Sequence, residues 1–114
     1  MDQSTDAVAG LLEKAADVIE AHGHAKGVLH NSAGEYCAMG AMYVAMGYSF
    51  EIYDESVLFH HSRLGELLRA EEALAHHLGR LTCDIPSWND REETTGADVI
   101  EAMRLTAKEI RNGA

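Results

Sequence analysis

The chain has 114 residues, 46% of them hydrophobic and 25% charged, and a formal net charge of −10 at pH 7. This length predicts one domain, residues 1–114, and the composition is that of a soluble globular protein. The acidic balance argues against nucleic acid and anionic membranes as partners, because both are bound largely through lysine and arginine. With two cysteines, no signal peptide and no apolar run of membrane-spanning length, a cytoplasmic protein with reduced thiols is expected.

The first element predicted is an amphipathic helix that ends at Gly23. Its apolar residues recur at helical spacing from Val8 to Ile19, and acidic and basic residues fall on the other side. Ser4 or Thr5 is expected to cap its first turn.

Residues 24–36 differ from the helix before them. Two glycines and the turn-forming run at residues 31–34 lie between short segments that could pair, which predicts a small β-hairpin with Gly34 in a left-handed conformation. Such a hairpin is marginal alone and would need to lie on a helix.

Residues 37–46 predict a short, almost wholly buried helix around which the rest of the chain is expected to pack. Cys37 stands in its first turn and Gly47 is its stop. Gly40 inside the helix costs about 1 kcal/mol relative to alanine. Its presence therefore predicts the close approach of another helix or backbone.

After an aromatic-rich connection at residues 48–55, an apolar stripe predicts a helix over residues 57–78, with a break near residue 62 as an alternative. Ser56 is its expected cap. Residues 81–91 are predicted to form a structured loop, with Ile85 extended because it precedes Pro86. In this loop Trp88 is expected to cover the core.

The final helix is predicted to run to Arg111, after a capping box formed by Thr95 and Asp98. Together these elements predict a mainly α fold. It would be a single-domain bundle of about four helices, with the small hairpin between the first two.

Two short motifs resemble a known family. They are G-x-Y-C-x-x-G-A at residues 34–41 and W-N-D-R at residues 88–91. Both are similar to motifs of a small group of actinobacterial and phage proteins classed as a domain of unknown function. The resemblance spans nearly the whole chain. It implies a bacterial or phage cytosolic protein and leaves the activity open.

Cys37 is the sharpest candidate for chemistry. A thiol at a helix N-terminus has its thiolate stabilised by the dipole and by free backbone N–H groups. His30 could act as base and Asn89 or Asp90 could orient it, as in a cysteine nucleophile site. The alternative is packing, because cysteine behaves as a small hydrophobe. Packing is the favoured interpretation.

The seven histidines raise the question of a metal site. Zinc sites pair cysteines and histidines at short spacing, and the only short pairs here are at residues 22 and 24, 60 and 61, and 76 and 77. Adjacent helical residues point about 100° apart, so each doublet offers one ligand at most. A metal-dependent protein that binds zinc through histidines and Cys83 is a third hypothesis. The prediction is no metal and no other cofactor.

The W-N-D-R motif is a candidate binding epitope, because exposed tryptophan and arginine anchor interfaces. In the alternative, Trp88 is buried, Asn89 and Asp90 bond backbone groups in Asx turns, and Arg91 pairs with an acid. The exposure of Trp88 separates the two. The structural alternative is favoured.

The aromatic residues of the 48–55 connection, with Phe59 beyond it, are expected to cover the core, and an interface is the second choice. The leading functional hypothesis is a binding or regulatory protein that acts on an unidentified protein partner. Two forms of this hypothesis are a homodimer and a phage-encoded protein that modulates a host protein. The alternative is a thiol-dependent enzyme that uses Cys37, His30 and Asn89 or Asp90.

Overall fold

Five α-helices carry the fold in the part of the chain that the computed structural model describes, residues 3–53 and 55–113. They are α1 (Gln3–His22), α2 (Ala38–Met46), α3 (Leu64–Leu78), α4 (Ile85–Asp90) and α5 (Gly96–Gly113), with 3-10 helices at Glu55–His60 and Thr82–Asp84. The mainly α prediction is confirmed, with 69% of residues helical. The expected number of helices was too low, because residues 85–90 form a helix and not a loop.

The centre of the bundle is α1. It packs against α5, α2 and α3, whereas α2 packs against α1, α3 and α4. The apolar stripe of α1 is buried from Val8 to Ile19, as its spacing predicts. Because the helix already runs at Gln3, the expected caps Ser4 and Thr5 lie inside it, while the predicted end at Gly23 is confirmed by a φ of 103°.

Salt bridges join the outer faces of α1 and α5. Arg104 contacts Asp17 and Glu20, and Arg111 contacts Glu13 and Asp6. Exposed pairs of this kind contribute about 0–1 kcal/mol each. The buried apolar faces therefore provide most of the stability, and the pairs add to it at the rim.

No strand forms among the described residues, so the predicted hairpin is wrong. Tyr36 makes two isolated bridges, one parallel with His24 and one antiparallel with His30. Its N–H donates to the carbonyl of Gly23, and its carbonyl accepts from Ala25. Hairpin-type pairing is limited to the antiparallel bridge, where Asn31 N donates to the carbonyl of Glu35 and Cys37 N to that of Leu29, while the backbone groups of Tyr36 close the loop onto the end of α1. The left-handed Gly34 is confirmed at φ 84°.

The boundaries of α2 agree with the prediction to within a residue. Cys37 is the N-cap, its Sγ accepting from Gly40 N at 3.3 Å, and Gly47 ends the helix at φ 113°. A Cβ built on Gly40 would lie 2.0 Å from the carbonyl oxygen of Leu29. The predicted close approach is therefore present, and its partner is the backbone of the 24–36 loop.

The helix predicted over residues 57–78 is broken, as the alternative allowed. Ser56 lies in the preceding 3-10 helix, and α3 starts only at Leu64. In the break, Arg63 N donates to His61 Nδ1 at 3.0 Å, and Arg63 Nη1 donates to the carbonyl of Ala45 at 3.3 Å. The break thus supplies a donor to a free carbonyl in the last turn of α2.

Ile85 is helical, at φ −58° and ψ −46°, and not extended as expected. Proline is tolerated in the first turn of a helix, where its missing N–H has no partner to lose. Ile85 is fully buried, and this burial overrides the preference of a residue before proline. The capping box is confirmed, with Asp98 N donating to Thr95 Oγ1 and Thr95 N to Asp98 Oδ2.

Candidate functional site

The W-N-D-R motif forms a clasp on the 24–36 loop. Asn89 is 1% exposed, and its Oδ1 accepts from the N–H of Ala38 at 2.9 Å. Its Nδ2 donates to the carbonyl of Ala25 at 3.0 Å and to Asp90 Oδ1 at 2.9 Å. His24 Nε2 lies 2.7 Å from the same Oδ1. Because that oxygen is an acceptor, the assigned tautomer of His24 carries its proton on Nε2.

Asp90 extends the clasp to Gly27, whose N–H donates to Asp90 Oδ1 at 2.9 Å. That bond and the amide of Asn89 hold the pKa of the Asp90 carboxyl below its usual value. A second bond also comes from the loop, where Lys26 Nζ donates to the carbonyl of Arg91 at 2.5 Å. The loop thus donates hydrogen bonds both to a side chain of α4 and to the backbone at its end.

Trp88 is 9% exposed, which favours the structural interpretation of the motif over the epitope. Arg91 pairs with Glu93 at 2.8 Å, as that interpretation expects. The bonds of Asn89 and Asp90 run to backbone groups far away in sequence and not to Asx turns. These long-range partners could not be inferred from the motif.

Cys37 is 6% exposed and lies within the core. Burial raises the pKa of its thiol, outweighing the hydrogen bond from the Gly40 N–H. The helix N-terminus that could have stabilised a thiolate is thus opposed by desolvation. Chemically, Cys37 is a neutral thiol and a weak cap.

His30 has different neighbours. Its Nδ1 lies 3.2 Å from the carbonyl of Glu35, and its ring stacks on Tyr36 at 4.3 Å and on Phe50 at 5.3 Å. A cavity of about 210 Å³ is shared by Cys37, Asn89 and Asp90 but is not lined by His30. The structure therefore brings together three of the four predicted site residues and leaves out the base. A catalytic role for Cys37 therefore remains a prediction.

Besides His30, three histidines have hydrogen-bond partners. His24 bonds Asn89, His61 accepts from Arg63, and His77 lies 3.0 Å from Glu109. Within residues 3–53 and 55–113, no group of three or more histidine, cysteine, aspartate or glutamate side chains is placed to hold a metal ion.

A second candidate site is a connected set of rings, which we call the aromatic face: Tyr36, Tyr43, Tyr48, Phe50 and Tyr53. Phe50 is its hub, with ring centroids 4.9 Å from Tyr48, 6.0 Å from Tyr36 and 6.5 Å from Tyr43. Tyr53 adjoins Tyr48 at 6.1 Å, and its carbonyl accepts from the Tyr48 hydroxyl. His30 stacks against Tyr36 and Phe50 at its edge.

The aromatic face is partly open. A cavity of about 230 Å³ is lined by Tyr36, Val44, Tyr48, Ser49, Phe50 and Glu51. The same stretch of chain exposes apolar side chains, with Ile52 and Phe59 each 75% exposed and Tyr53 43% exposed. Tyr48 is buried and covers the core, as expected for this connection. Ile52 and Phe59 are exposed and do not cover the core, and the second choice for this connection, an interface, stays a prediction.

The distribution of aromatic and basic residues along the chain is a sequence signal for this surface. All four tyrosines and both phenylalanines lie between Lys26 and Arg63, and this stretch contains no lysine or arginine. It does contain acids, at Glu35, Glu51 and residues 54–55. The joint pattern of rings and missing cations, and not any single motif, marks the surface.

A family model for proteins of unknown function, DUF6197, matches residues 3–109. The chain belongs to the DUF6197 family. The match runs from the start of α1 into the last turns of α5, so it includes both the clasp and the aromatic face. The expected membership of an uncharacterised family is thereby confirmed. No curated protein and no solved structure matches the chain. No helix among the described residues is long and apolar enough to cross a membrane.

Proposed function

We propose that this DUF6197 protein acts by contact with a protein partner, and that the aromatic face together with Ile52 and Phe59 is the contact surface. The observation that carries the proposal is the exposure of two large apolar side chains, Ile52 and Phe59, at 75% each. Ile52 directly precedes Tyr53 of the aromatic face in the chain, and Phe59 follows six residues later. Large exposed apolar residues are typical of interaction sites, and aromatic residues are enriched in interface cores.

The charge of this surface selects the partner. Residues 27–62 contain acidic residues and no lysine or arginine. A partner with basic residues would be attracted and correctly oriented, while an acidic partner would be repelled. A second copy of this chain would bring two acidic surfaces together. A different, basic protein is therefore favoured over a homodimer.

The thiol-dependent alternative has less support. Its nucleophile is buried, desolvation raises the pKa of that thiol, and its proposed base contacts Glu35 and two rings instead. A nucleophile needs access for substrate and a base within hydrogen-bond reach. The cavity beside Cys37 is better described as the gap between the clasped loop and α4.

The resemblance to actinobacterial and phage proteins gives the proposal a setting. In a bacterial or phage cytosolic protein, the basic partner would be a host protein whose activity is modulated by contact. This origin, the cytoplasmic location and the modulating role are parts of the proposal. They rest on the resemblance of the two motifs and not on the geometry of the site.

The test is affinity capture of partners from the source cell with a photo-crosslinking residue at position 53, compared between variants. The double variant Ile52→Ser, Phe59→Ser should lose the captured protein. The matched control Leu68→Ser, Leu105→Ser removes exposed leucines from α3 and α5, which are 49% and 41% exposed, and should retain it. Capture that is equal in both variants, or no crosslinked protein, would overturn the proposal. A crosslinked second copy would replace the basic partner with a homodimer.

A further inference from the structure

The cavity in the aromatic face combines rings with an acid. Tyr36, Tyr48 and Phe50 supply rings, and Ser49 and Glu51 supply polar groups. The face of an aromatic ring attracts a cation through its quadrupole, and a nearby carboxylate adds a direct charge. The lining therefore has the chemistry of a site for an organic cation.

No lysine or arginine belongs to residues 27–62, the stretch that forms the cavity. The flanking basic residues are engaged elsewhere, since Lys26 Nζ donates to Arg91 and Glu92 carbonyls, and Arg63 Nε lies 2.7 Å from Glu66 Oε2. Glu51 is exposed at the cavity. A positive side chain entering from outside would thus meet rings and a carboxylate without a competing intramolecular lysine or arginine from residues 27–62.

The rings are held in place before any ligand arrives. Tyr36 and Phe50 both stack with His30, at 4.3 and 5.3 Å, and the Tyr48 hydroxyl donates to the Tyr53 carbonyl at 3.1 Å. Pre-organised groups bind with less loss of conformational entropy. These contacts fix the cavity walls from the protein side.

The volume sets the size of the occupant. Pockets for cofactors and drug-sized ligands measure roughly 300–1,000 Å³, and this cavity holds about 230 Å³. It suits one large side chain of a partner better than a whole cofactor. A guanidinium is planar, so it stacks on aromatic rings and binds carboxylates through two parallel N–H groups. An ammonium is a point charge and lacks this planar pair of donors.

We infer that the cavity at Tyr36, Phe50 and Glu51 is a socket for an arginine side chain of the protein partner. This inference rests on the proposed contact function and names the chemistry that the partner presents. The guanidinium lies against the rings of Tyr36 and Phe50 and pairs with the Glu51 carboxylate, while Ile52 and Phe59 contact apolar residues around that arginine.

The experiment follows backbone amide chemical shifts of the full chain during titration with a glycine-flanked arginine peptide. The matched ligand is the same peptide with citrulline, which keeps the shape and removes the charge. The arginine peptide should shift Tyr36 and Ser49–Glu51 at millimolar concentration, and the citrulline peptide should not. Tetramethylammonium serves as a free organic cation. If it binds this site and the arginine peptide does not, the assignment to a partner's arginine is overturned.

Variants locate the effect. Glu51→Gln and Phe50→Leu should each weaken the arginine peptide by about 5- to 10-fold, while Glu101→Gln, an exposed acid on α5, should leave its affinity unchanged. Glu51→Gln changes only an exposed charge, so it keeps the test decisive if Phe50→Leu unfolds. The socket is overturned if the arginine and citrulline peptides bind with equal affinity, or if Glu101→Gln weakens the arginine peptide as much as Glu51→Gln does. Loss of partner capture in the Ile52 and Phe59 variant would still support the contact function alone.

Discussion

Replacing Gly40 with alanine should destabilise this protein although the position lies inside a helix. Helix propensity alone predicts a gain of about 1 kcal/mol. The added Cβ, however, would lie 2.0 Å from the Leu29 carbonyl oxygen and 2.9 Å from its carbon. Since unstrained contacts of this kind begin near 3.4 Å, α2 or the loop must move by roughly 1.4 Å.

That movement also breaks a hydrogen bond. The same Leu29 oxygen accepts from Cys37 N at 3.1 Å. An unpaired buried backbone group costs about 1–3 kcal/mol, and overpacking costs about as much again. After subtracting the propensity gain, Gly40→Ala should lower the free energy of unfolding by about 1–5 kcal/mol, with about 3 kcal/mol as the central value.

Urea unfolding followed by far-UV circular dichroism measures this change. The matched control is Gly10→Ala in α1, where a Cβ would meet nothing within 4 Å. The control should be neutral or more stable by about 0.5–1 kcal/mol. A Gly40→Ala variant as stable as Gly10→Ala would refute the close approach of Leu29 to α2.

Three further predictions follow from buried groups. Asn89→Asp places a carboxylate oxygen against the Ala25 carbonyl and the Asp90 carboxylate. It should therefore lower the free energy of unfolding by about 3 kcal/mol at neutral pH, which is more than Asn89→Ala does. The stability of Asn89→Asp should recover in acid, where the protonated carboxyl can donate a hydrogen bond. Burial raises the pKa of Glu71 to about 7, well above its usual 4.5, with the charge of Glu72 adding to the shift. Because the folded state holds the proton more tightly than the unfolded state, the free energy of unfolding falls as pH rises from 4.5 to 7. Glu71→Gln removes this titration. It should raise the free energy of unfolding by about 1–2 kcal/mol above pH 7, allowing for solvent screening, and leave it unchanged below pH 4.5. Cys37 in a Cys83→Ala background should react with iodoacetamide at least about tenfold more slowly than Cys83 does in Cys37→Ala, because a buried thiol with a raised pKa lacks both access and charge.

Each of these has its own opposing outcome. Equal stability of Asn89→Asp and Asn89→Ala across pH would contradict the donor role of the Asn89 amide nitrogen. Urea unfolding at several pH values measures the stability of the Asn89 variants and of Glu71→Gln. If Glu71→Gln gains no more free energy of unfolding above pH 7 than the exposed control Glu101→Gln, the raised pKa of Glu71 is contradicted. Rapid alkylation of Cys37 in the folded protein, followed by mass spectrometry, would restore the thiol-dependent hypothesis.

Local signals in the sequence were sufficient for the helices that carry them. The apolar spacing and closing glycine of α1, the two ends of α2 and the Thr95–Asp98 box each depend on residues within a few positions of one another, and all three are confirmed. The close approach at Gly40 was also predictable, because a glycine inside a buried helix requires a compensating contact. Its partner, Leu29, was not.

The hairpin and α4 failed for the opposite reason. In residues 24–36 the pattern of turn residues was correct, with Gly34 left-handed, yet the pairing stops at one antiparallel bridge and the backbone of Tyr36 bonds Gly23 and Ala25 at the end of α1. At Ile85, a local preference for extended backbone lost to complete burial in the core. In both places tertiary contacts gave more stabilisation than the local preference could.

The sequence by itself determined a mainly α domain and its main helices, because hydrophobic spacing and capping act over short distances along the chain. It favoured a buried Trp88 but left the exposed epitope open. Only the tertiary structure decided that Asn89 joins α2 to the loop before it, and that Cys37 is separated from His30. It also decided that the rings of the aromatic face meet around Phe50, with Glu51 beside them at the cavity. Each of these depends on contacts between residues that are distant in sequence, and such contacts are fixed only when the helices pack around α1.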